Sequence, residues 1–324
     1  MTEVGRQRLG VIGVGHVGRH HARILAETAD VDLVSVVDIN RARADEVASE
    51  TGSRASVDAL ELLGQVDAVT VAVPTAEHAR VVSPFLEAGL PVLVEKPIAA
   101  SLTEADAMIQ LASKRGVTLA VGHSERYNPA ITVAMPLVME PRFVEVHRLA
   151  AFPARGLDVD VVFDVMIHDI DILLAIVQGE PLSIEAVGVP VLTDRIDIAN
   201  TRLRFGDGCI ANLTASRISR DRVRKLRFFQ HHGLVTVDCL TQQVEAFRVT
   251  RSPGREPIIE GGNVPVPDGE PLELELRDFV STIRTGGTPR VDGIAGRRAL
   301  AVAEEIAAAM LERNDQLRLP DRVT

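Results

Sequence analysis

Two patterns of hydrophobic and polar positions alternate along the first 122 residues. Short apolar runs without a polar face are typical of strands buried on both sides, and they occur at Leu9–Ile12, Leu33–Val37, Ala68–Val73, Pro91–Val94 and Thr118–Val121. Segments with helical periodicity separate them: Val17–Glu27, Arg41–Glu50, Glu77–Ala88 and Thr103–Lys114. Because strands alternate with helices, residues 1–122 predict an α/β domain with a parallel sheet and right-handed crossovers.

The pattern changes after residue 123. A strongly apolar helix is predicted over Asp160–Gln178, and Gly206-Asp207-Gly208 is typical of a hairpin turn. Strand-like segments make up most of the remainder: Arg142–Leu149, Ser183–Leu192, Asn200–Phe205, Cys209–Ser216, Arg224–His231 and Gly233–Cys239. A loop is predicted at Arg251–Pro271, before helices at Leu272–Arg284 and Gly293–Arg313. Residues 123–324 therefore predict an α+β domain with an open, mostly antiparallel sheet.

Composition narrows the classes of function. Apolar residues make up 46% of the 324 positions, which is typical of a soluble globular protein. A net charge of −10 and an aromatic share of 3% argue against nucleic-acid partners, which need basic surfaces and stacking rings. Two cysteines cannot form a disulfide framework, and neither a signal peptide nor a membrane-spanning run is evident. We therefore expect a cytoplasmic protein without a membrane partner.

A glycine-rich loop follows the first predicted strand and opens a helix, within residues Gly13, Gly15, His16, Val17 and Gly18. Such a loop allows a tight turn and close approach of a pyrophosphate to the helix N-terminus. Asp38 ends the second strand, where an acidic group bonds the adenosine ribose hydroxyls and disfavours a 2′-phosphate. The pattern predicts NAD as cofactor. Arg41 and Arg43 leave NADP open, and Asp38 as a helix cap is the alternative.

Two more strand ends carry candidate chemistry. The third strand ends at Val73-Pro74-Thr75 with His78 nearby, and the fourth ends at Glu95-Lys96 before Pro97. Carboxyl ends of strands face the cofactor cleft in this fold, so these residues are expected to line it. Lys96 is a candidate acid/base, because partial burial lowers a lysine pKa toward neutrality. A surface lysine at Lys96, and a His78 that only starts a helix, are the alternatives.

A polar stripe crosses the apolar helix at Asp160–Gln178. Asp160, Asp164, His168 and Asp171 are spaced 4, 4 and 3 apart and are predicted to share one face. Buried polar groups need partners or a cavity, so His168 is a candidate for proton transfer, with Asp164 orienting it. A structural histidine is one alternative. A divalent metal is another, but no second ligand cluster is evident and no metal is expected.

Together these residues resemble the Gfo/Idh/MocA family of nicotinamide-dependent sugar and inositol oxidoreductases. The carrying motifs are the glycine loop, Val73-Pro74-Thr75 with His78, Glu95-Lys96-Pro97, Asp164-x-Met166-x-His168 and Arg297-Arg298-Ala299-Leu300. The resemblance implies a Rossmann domain followed by an open-sheet domain, with substrate bound between them. It also implies acid/base roles for Lys96 and His168, support from Asp164, a cis Pro97, and homodimers or homotetramers paired through the C-terminal sheet.

Within the family, the segment from Gly122 to Pro129 is similar to that of UDP-N-acetylglucosamine 3-dehydrogenases. This similarity implies oxidation of the sugar C3 hydroxyl ahead of transamination, with Arg126, Tyr127 and Asn128 near the substrate. The basic segment Arg217–Arg227 carries six basic residues and one acid, so Arg217 is a candidate contact to a nucleotide diphosphate. A charged strand edge is the alternative. Another sugar or inositol dehydrogenase, or a non-catalytic NAD sensor, remain rival functions.

Overall fold

A computed structural model describes residues 5–152, 159–177, 179–251 and 256–317. The chain divides into two compact units, residues 1–124 with 270–297 and residues 125–269 with 298–324. The predicted division after residue 122 assigned everything that follows to one domain. Residues 270–297 instead belong to the first unit, because Leu276, Phe279 and Val280 pack into its core.

A six-stranded parallel sheet in the order β3-β2-β1-β4-β5-β6 forms the first unit. Its strands are β1 (Gln7–Ile12), β2 (Val31–Val37), β3 (Arg54–Ser56), β4 (Ala68–Val71), β5 (Val92–Glu95) and β6 (Leu119–Gly122). Its helices are α1 (Gly18–Glu27), α2 (Arg41–Thr51), α3 (His78–Glu87), α4 (Leu102–Arg115) and α7 (Pro271–Thr285). The predicted Rossmann domain is confirmed, with the short strand β3 as an addition.

Local sequence signals explain where these helices begin and end. Ser101 accepts the Glu104 amide at 3.3 Å, and Glu104 accepts the Ala100 amide at 3.1 Å, which forms a reciprocal cap at the start of α4. Gly116 ends that helix in the left-handed conformation. Asn40 caps α2 by accepting the Arg43 amide, so the alternative in which Asp38 caps this helix is wrong.

An eight-stranded sheet in the order β14-β13-β12-β11-β7-β10-β9-β8 forms the second unit. Its strands are β7 (Pro141–Leu149), β8 (Pro181–Val189), β9 (Ile198–Phe205), β10 (Ile210–Ser216), β11 (Val223–Gln230), β12 (Gly233–Asp238), β13 (Gln243–Thr250) and β14 (Ile258–Val264). All neighbouring pairs are antiparallel except β7 with β10. The predicted open, mostly antiparallel sheet is confirmed.

The last two strands depart from the prediction. Strand β13 was not predicted, and β14 lies inside Arg251–Pro271, where the composition predicted a loop. Residues 252–255 of that range lie outside the described part. Strand β14 is largely exposed and contains Gly261 at φ 137°, where a Cβ would lie 2.0 Å from the Ala246 carbonyl oxygen. Its pairing with β13 therefore depends on backbone bonds and glycine, which leave no hydrophobic pattern in the sequence.

Helices α5 (Pro129–Ala134), α6 (Ile167–Ile176) and α8 (Gly293–Leu317) complete the chain. The core of the second unit joins apolar side chains of the sheet to Ile131, Ile167, Ile170 and Ile306. The predicted helix at Asp160–Gln178 consists of a π-helical turn at Val162–Met166 followed by α6, and Gln178 lies outside the described residues. In the described ranges, every helix is too short or too polar to cross a bilayer.

Candidate active site

The glycine loop has the shape that a dinucleotide needs. Gly13 has φ +84° and a Cβ there would lie 2.7 Å from the Ala72 carbonyl oxygen, while a Cβ at Gly18 would lie 1.7 Å from the Gly13 oxygen. These two glycines therefore serve the tight turn and the close packing of α1. At Gly15 a Cβ would meet nothing within 4 Å. The space beside Gly15 is therefore open, and His16 and Val17 next to it are exposed.

Asp38 connects the glycine loop to the end of β2. Its carboxylate accepts the Val14 amide at 3.1 Å and the Asn40 amide at 2.9 Å, and it is 7% exposed. Arg43 approaches the same carboxylate at 3.3 Å. The acidic group therefore occupies the position predicted for ribose recognition, with a cation beside it.

His78 ties two strand ends together. Its Nδ1 lies 2.9 Å from the Pro97 carbonyl oxygen and its Nε2 lies 3.0 Å from the Val73 oxygen, and the ring is 1% exposed. Burial lowers the pKa of His78 below its usual value, although the carbonyl contacts oppose this shift. His78 therefore connects the segment Val73-Pro74-Thr75 to the Lys96–Pro97 turn. It does not face open space, contrary to the predicted place in the cofactor cleft.

Lys96 directly follows β5 and is partly buried, and its peptide bond to Pro97 is cis, as the resemblance implied. Glu95 beside it accepts the Lys96 amide at 3.3 Å and lies 3.1 Å from His21 Nε2. Burial would raise the pKa of Glu95, but the bond from His21 and the nearby charges of His21 and Lys96 lower it overall. The carboxylate of Glu95 is therefore engaged by protein groups, whereas the prediction assigned it to the cofactor.

The four polar residues predicted to form one stripe have different environments in the second unit. Asp160 accepts the Ile196 amide at 3.0 Å, and Asp171 is buried in an ion pair. Asp164 and His168 are partly buried and lie on either side of the junction between the π turn and α6. The wider π turn interrupts the helical register before His168, so the prediction that Asp160 shares one face with His168 was wrong, whereas Asp171 follows His168 by three positions within α6. Such π turns occur frequently at functional sites.

Two arginines hold the aspartates that closely follow His168 in the chain. Arg126 donates to Asp171 at 2.8 and 2.5 Å, and Arg148 donates to Asp169 at 2.8 and 2.7 Å. All four side chains are at least nine-tenths buried, so each charge requires its partner. Burial opposes the charge of Arg148, but Asp169 and Glu125 raise the pKa of Arg148 overall. These pairs fix the start of α6, and with it the backbone of His168.

The residues predicted to contact substrate around 126–128 lie in the interior of the second unit. Arg126 and Tyr127 are 7% and 3% exposed. Asn128 caps α5 by accepting the Ala130 amide at 3.0 Å, and it donates to the Cys239 carbonyl oxygen at 3.0 Å. Contrary to the prediction, these residues have structural partners within the protein, because polar groups so deeply buried must be satisfied.

Arg217 is likewise internal and departs from its predicted substrate contact. Its guanidinium donates to Asp197 at 2.8 Å and to the Val159 carbonyl oxygen at 2.8 Å, with 1% of the side chain exposed. Elsewhere in the basic segment, Arg224 pairs with Glu125 at 2.7 Å and Arg227 with Glu145 at 3.0 Å. Much of the local positive charge is therefore neutralised by acids distant in sequence. Arg220, Arg222 and Lys225 are exposed, and Arg224 is also exposed despite its pair with Glu125.

Sequence reasoning missed two residues close to the Glu95 carboxylate, namely His21 on α1 and Glu275 on α7. Both are buried, at 0% and 1% exposure, and their ring nitrogen and carboxylate oxygens lie within 4.8 Å of one another and of Glu95. The sequence does contain a signal for Glu275. Leu272, Glu275 and Phe279 have the i, i+3, i+7 spacing of one helix face, and the two residues other than Glu275 are apolar. A carboxylate in such a stripe indicates a buried polar site.

Comparison with known proteins agrees with this geometry. Residues 7–123 match the model of an oxidoreductase family with an NAD-binding Rossmann fold, and residues 141–236 match the GFO/IDH/MocA C-terminal domain. The chain is 40% identical to a UDP-N-acetylglucosamine 3-dehydrogenase from Acidithiobacillus ferrooxidans, over 94% of this chain and 97% of that protein. It is 25% identical to an inositol 2-dehydrogenase of Rhizobium meliloti, over 94% of this chain and 97% of that protein.

Solved structures give the same result. The Acidithiobacillus ferrooxidans enzyme superposes with a TM-score of 0.87 at 38% identity, covering 94% of this chain and 97% of that one. A levoglucosan dehydrogenase in complex with NADH and levoglucosan superposes with a TM-score of 0.84 at 19% identity, covering 95% and 98%, and shares the fold. The chain therefore belongs to the Gfo/Idh/MocA family of oxidoreductases, with NAD as the cofactor of its Rossmann unit.

Proposed function

We propose that this protein oxidises the C3 hydroxyl of UDP-N-acetylglucosamine to a ketone, with NAD+ as the oxidant. The observation that carries the proposal is the 40% identity to an enzyme of that activity, over 94% of the chain. This identity extends through both units, and therefore through the elements that present Lys96 and His168. The ketone is the substrate that a subsequent aminotransferase needs in order to install a 3-amino group.

Lys96 is the proposed general base. It removes the hydroxyl proton, and the C3–H bond breaks with its electron pair leaving as hydride. Bound NAD+ supplies the acceptor for that hydride. His168 shares or relays the proton, and Asp164, at the π turn before it, is proposed to orient the imidazole. Asp164 and His168 are also proposed substrate contacts, because both are partly buried and so retain some accessible surface.

The proposed cofactor contacts all lie in the first unit. The open space at Gly15 would hold the pyrophosphate, supported by Gly13, His16, Val17 and Gly18. The carboxylate of Asp38 would accept the ribose hydroxyls, which favours NAD. The guanidinium of Arg43 at 3.3 Å from that carboxylate is the feature that favours some use of NADP.

A substrate panel tests the proposal. Purified protein with NAD+ is offered UDP-N-acetylglucosamine, free N-acetylglucosamine and myo-inositol, and NADH formation is recorded. An aminotransferase with its amino donor is added to remove the ketone, because the equilibrium favours the alcohol. NADH formation with UDP-N-acetylglucosamine, and with neither of the other two compounds, supports the proposal. Turnover of inositol without turnover of the nucleotide sugar would assign a different dehydrogenase activity, and NAD binding without any turnover would indicate a sensor.

We further infer that the protein is a cytoplasmic homo-oligomer that pairs through the open sheet. In β7 and β9 alternate side chains are buried, while those between them are exposed or partly exposed. The partly buried rings of Phe143 and Phe229 stack at 5.5 Å on this sheet, and Met139, two residues before β7, is largely exposed. Cys209 and Cys239 are free thiols, which suits a reducing compartment. A dimer or tetramer mass in sedimentation velocity supports this inference, and a monomer contradicts it.

A further inference from the structure

Three titratable side chains meet in the interior of the first unit, and one of them, Glu95, directly precedes Lys96 in the chain. His21 comes from α1, Glu95 from the end of β5 and Glu275 from α7. Side-chain exposure is 0% for His21 and 13% for Glu95, and Glu275 is 1% exposed. Because the ring nitrogen and the carboxylate oxygens all lie within 4.8 Å of one another, the three groups form one electrostatic unit.

The carboxylate of Glu95 is held at both of its oxygens. Oε1 lies 3.1 Å from His21 Nε2, and Oε2 accepts the Lys96 amide at 3.3 Å. Gly122 on the neighbouring strand leaves room for this arrangement, since a Cβ there would lie 2.8 Å from Oε1. The main chain at Lys96 is thus connected to His21 through a single carboxylate.

Charge gives the cluster a second function. Two carboxylates and one imidazole carry a net charge of −1 when the ring is protonated and −2 when it is neutral. An N–H of His21 directed at Glu95 satisfies part of a buried carboxylate and so reduces the cost of its burial. The Glu95 carboxylate lies within electrostatic range of Lys96, so the cluster stabilises the ammonium that forms when the lysine takes up the hydroxyl proton. The cluster therefore influences both the place of the lysine and the field around it.

We propose that His21 and Glu275 are positioning residues for Lys96, acting through the Glu95 carboxylate. The inference rests on the proposed role of Lys96 as general base. General base catalysis depends on placement, and a shift of about 1 Å can cost about 100-fold in rate. Loss of the His21–Glu95 bond would release the carboxylate that engages the Lys96 amide, so the lysine would lose its fixed position.

Four variants test this. His21→Leu removes the ring donor at similar volume, and His21→Gln restores an N–H near the same place. Glu275→Gln removes one buried charge. Glu273→Gln makes the same chemical change on the same helix, at a side chain that is 36% exposed and paired with Arg277. Each variant is assayed with NAD+ and UDP-N-acetylglucosamine for kcat, both KM values, thermal stability and the isotope effect of C3-deuterated substrate.

We expect His21→Leu and Glu275→Gln to lower kcat about 10- to 100-fold. The KM for NAD+ should change less than about twofold, and the isotope effect should rise because the chemical step becomes limiting. His21→Gln should recover part of kcat, and Glu273→Gln should match the unmodified protein. Crystal structures of the unmodified protein and of His21→Leu provide a readout independent of turnover, in which the Glu95 carboxylate and the Lys96 main chain should move.

Other results would overturn the inference. Unchanged kcat with lowered thermal stability, or an unmoved Lys96 in the crystal, would leave the cluster with a purely structural role. Loss of activity on treatment with a chelator, and its return with a divalent ion, would show that a cation joins the three groups. Lys96→Ala is measured alongside: if it keeps full turnover, the proposed base is wrong, whereas an inactive Lys96→Ala beside fully active His21→Leu refutes only the positioning role.

Discussion

Arg126 and Asp171 form a two-pronged ion pair inside the second unit, with Nε donating to Oδ2 at 2.8 Å and Nη2 donating to Oδ1 at 2.5 Å. Nη2 also donates to the Asp171 carbonyl oxygen at 2.8 Å. Asp171 lies three positions after His168, so the pair fixes the helical turn that carries the candidate histidine. Arg126, which the sequence predicts to contact substrate, thereby holds the backbone of α6 in this structure.

Removal of the Arg126 guanidinium should lower the free energy of unfolding substantially. Arg126→Leu leaves the Asp171 carboxylate buried without its guanidinium, and we expect a loss of about 3–5 kcal/mol in the free energy of unfolding. Urea denaturation measures this loss. The double variant Arg126→Leu with Asp171→Leu should regain part of it, because no lone charge remains. As a control, Arg41→Leu breaks an exposed pair with Asp45 and should leave the urea midpoint unchanged. Equal effects of Arg126→Leu and Arg41→Leu would contradict this assignment.

Two substitutions in the glycine loop should have separate effects, one on cofactor binding and the other on folding. Gly15→Ala adds a methyl group where nothing lies within 4 Å, so stability should be retained while affinity for NAD+ falls about tenfold, or about 1.4 kcal/mol. Gly18→Ala places a Cβ 1.7 Å from the Gly13 oxygen and should cost roughly 1–3 kcal/mol of stability. Calorimetric titration with NAD+ and thermal denaturation distinguish the two variants. Unaltered NAD+ affinity in Gly15→Ala would show that the pyrophosphate lies elsewhere.

His78 should make stability depend on pH. Its pKa is lowered in the folded state, mainly by burial, so folding favours the neutral ring. The stabilisation is complete above the unfolded pKa of about 6.5 and is lost as pH falls toward the folded pKa, at no more than about 1.4 kcal/mol per pH unit. Chemical denaturation at several pH values should give a shallower slope for His78→Gln below pH of about 6.5. His147→Gln, at an exposed histidine, should keep the original slope, and a loss of slope there would contradict the assignment.

Lys96 should be essential for turnover. Lys96→Ala removes the proposed base, and we expect kcat to fall about 10²- to 10⁴-fold while NAD+ still binds. Lys114→Ala removes an exposed lysine near the end of α4 and should keep normal turnover. Steady-state kinetics with the nucleotide sugar measures both variants. Near-normal turnover in Lys96→Ala would remove this lysine from the mechanism.

The Rossmann unit could be predicted from the sequence because its signals are local. Buried parallel strands are apolar at most positions, and Gly13 and Gly18 are required by contacts within a few residues or on the adjoining strand end. Even the reciprocal cap between Ser101 and Glu104 follows from a four-residue pattern. The glycine loop is also one of the motifs that carry the family resemblance.

The remaining features depend on partners far apart in the chain. In the sequence, Arg217 and Arg224 are part of one basic segment. In the structure Arg217 forms an ion pair with Asp197, and Arg224 forms one with Glu125. The π turn at Val162–Met166 changes the register of the polar stripe without any sign in the composition. The cluster of His21, Glu95 and Glu275 joins three elements separated by up to 254 positions, so its geometry could only come from the structure.

The central claim is that hydride leaves C3 of a nucleotide sugar for NAD+, and isotope transfer tests it most directly. The protein is incubated with NAD+ and UDP-N-acetylglucosamine deuterated at C3, and the reduced cofactor is isolated and examined by mass spectrometry and NMR. The account predicts one deuterium on the nicotinamide ring and a 3-keto sugar nucleotide that has lost it. Unlabelled NADH beside a sugar that retains its deuterium, or no reduced cofactor at all, would contradict it.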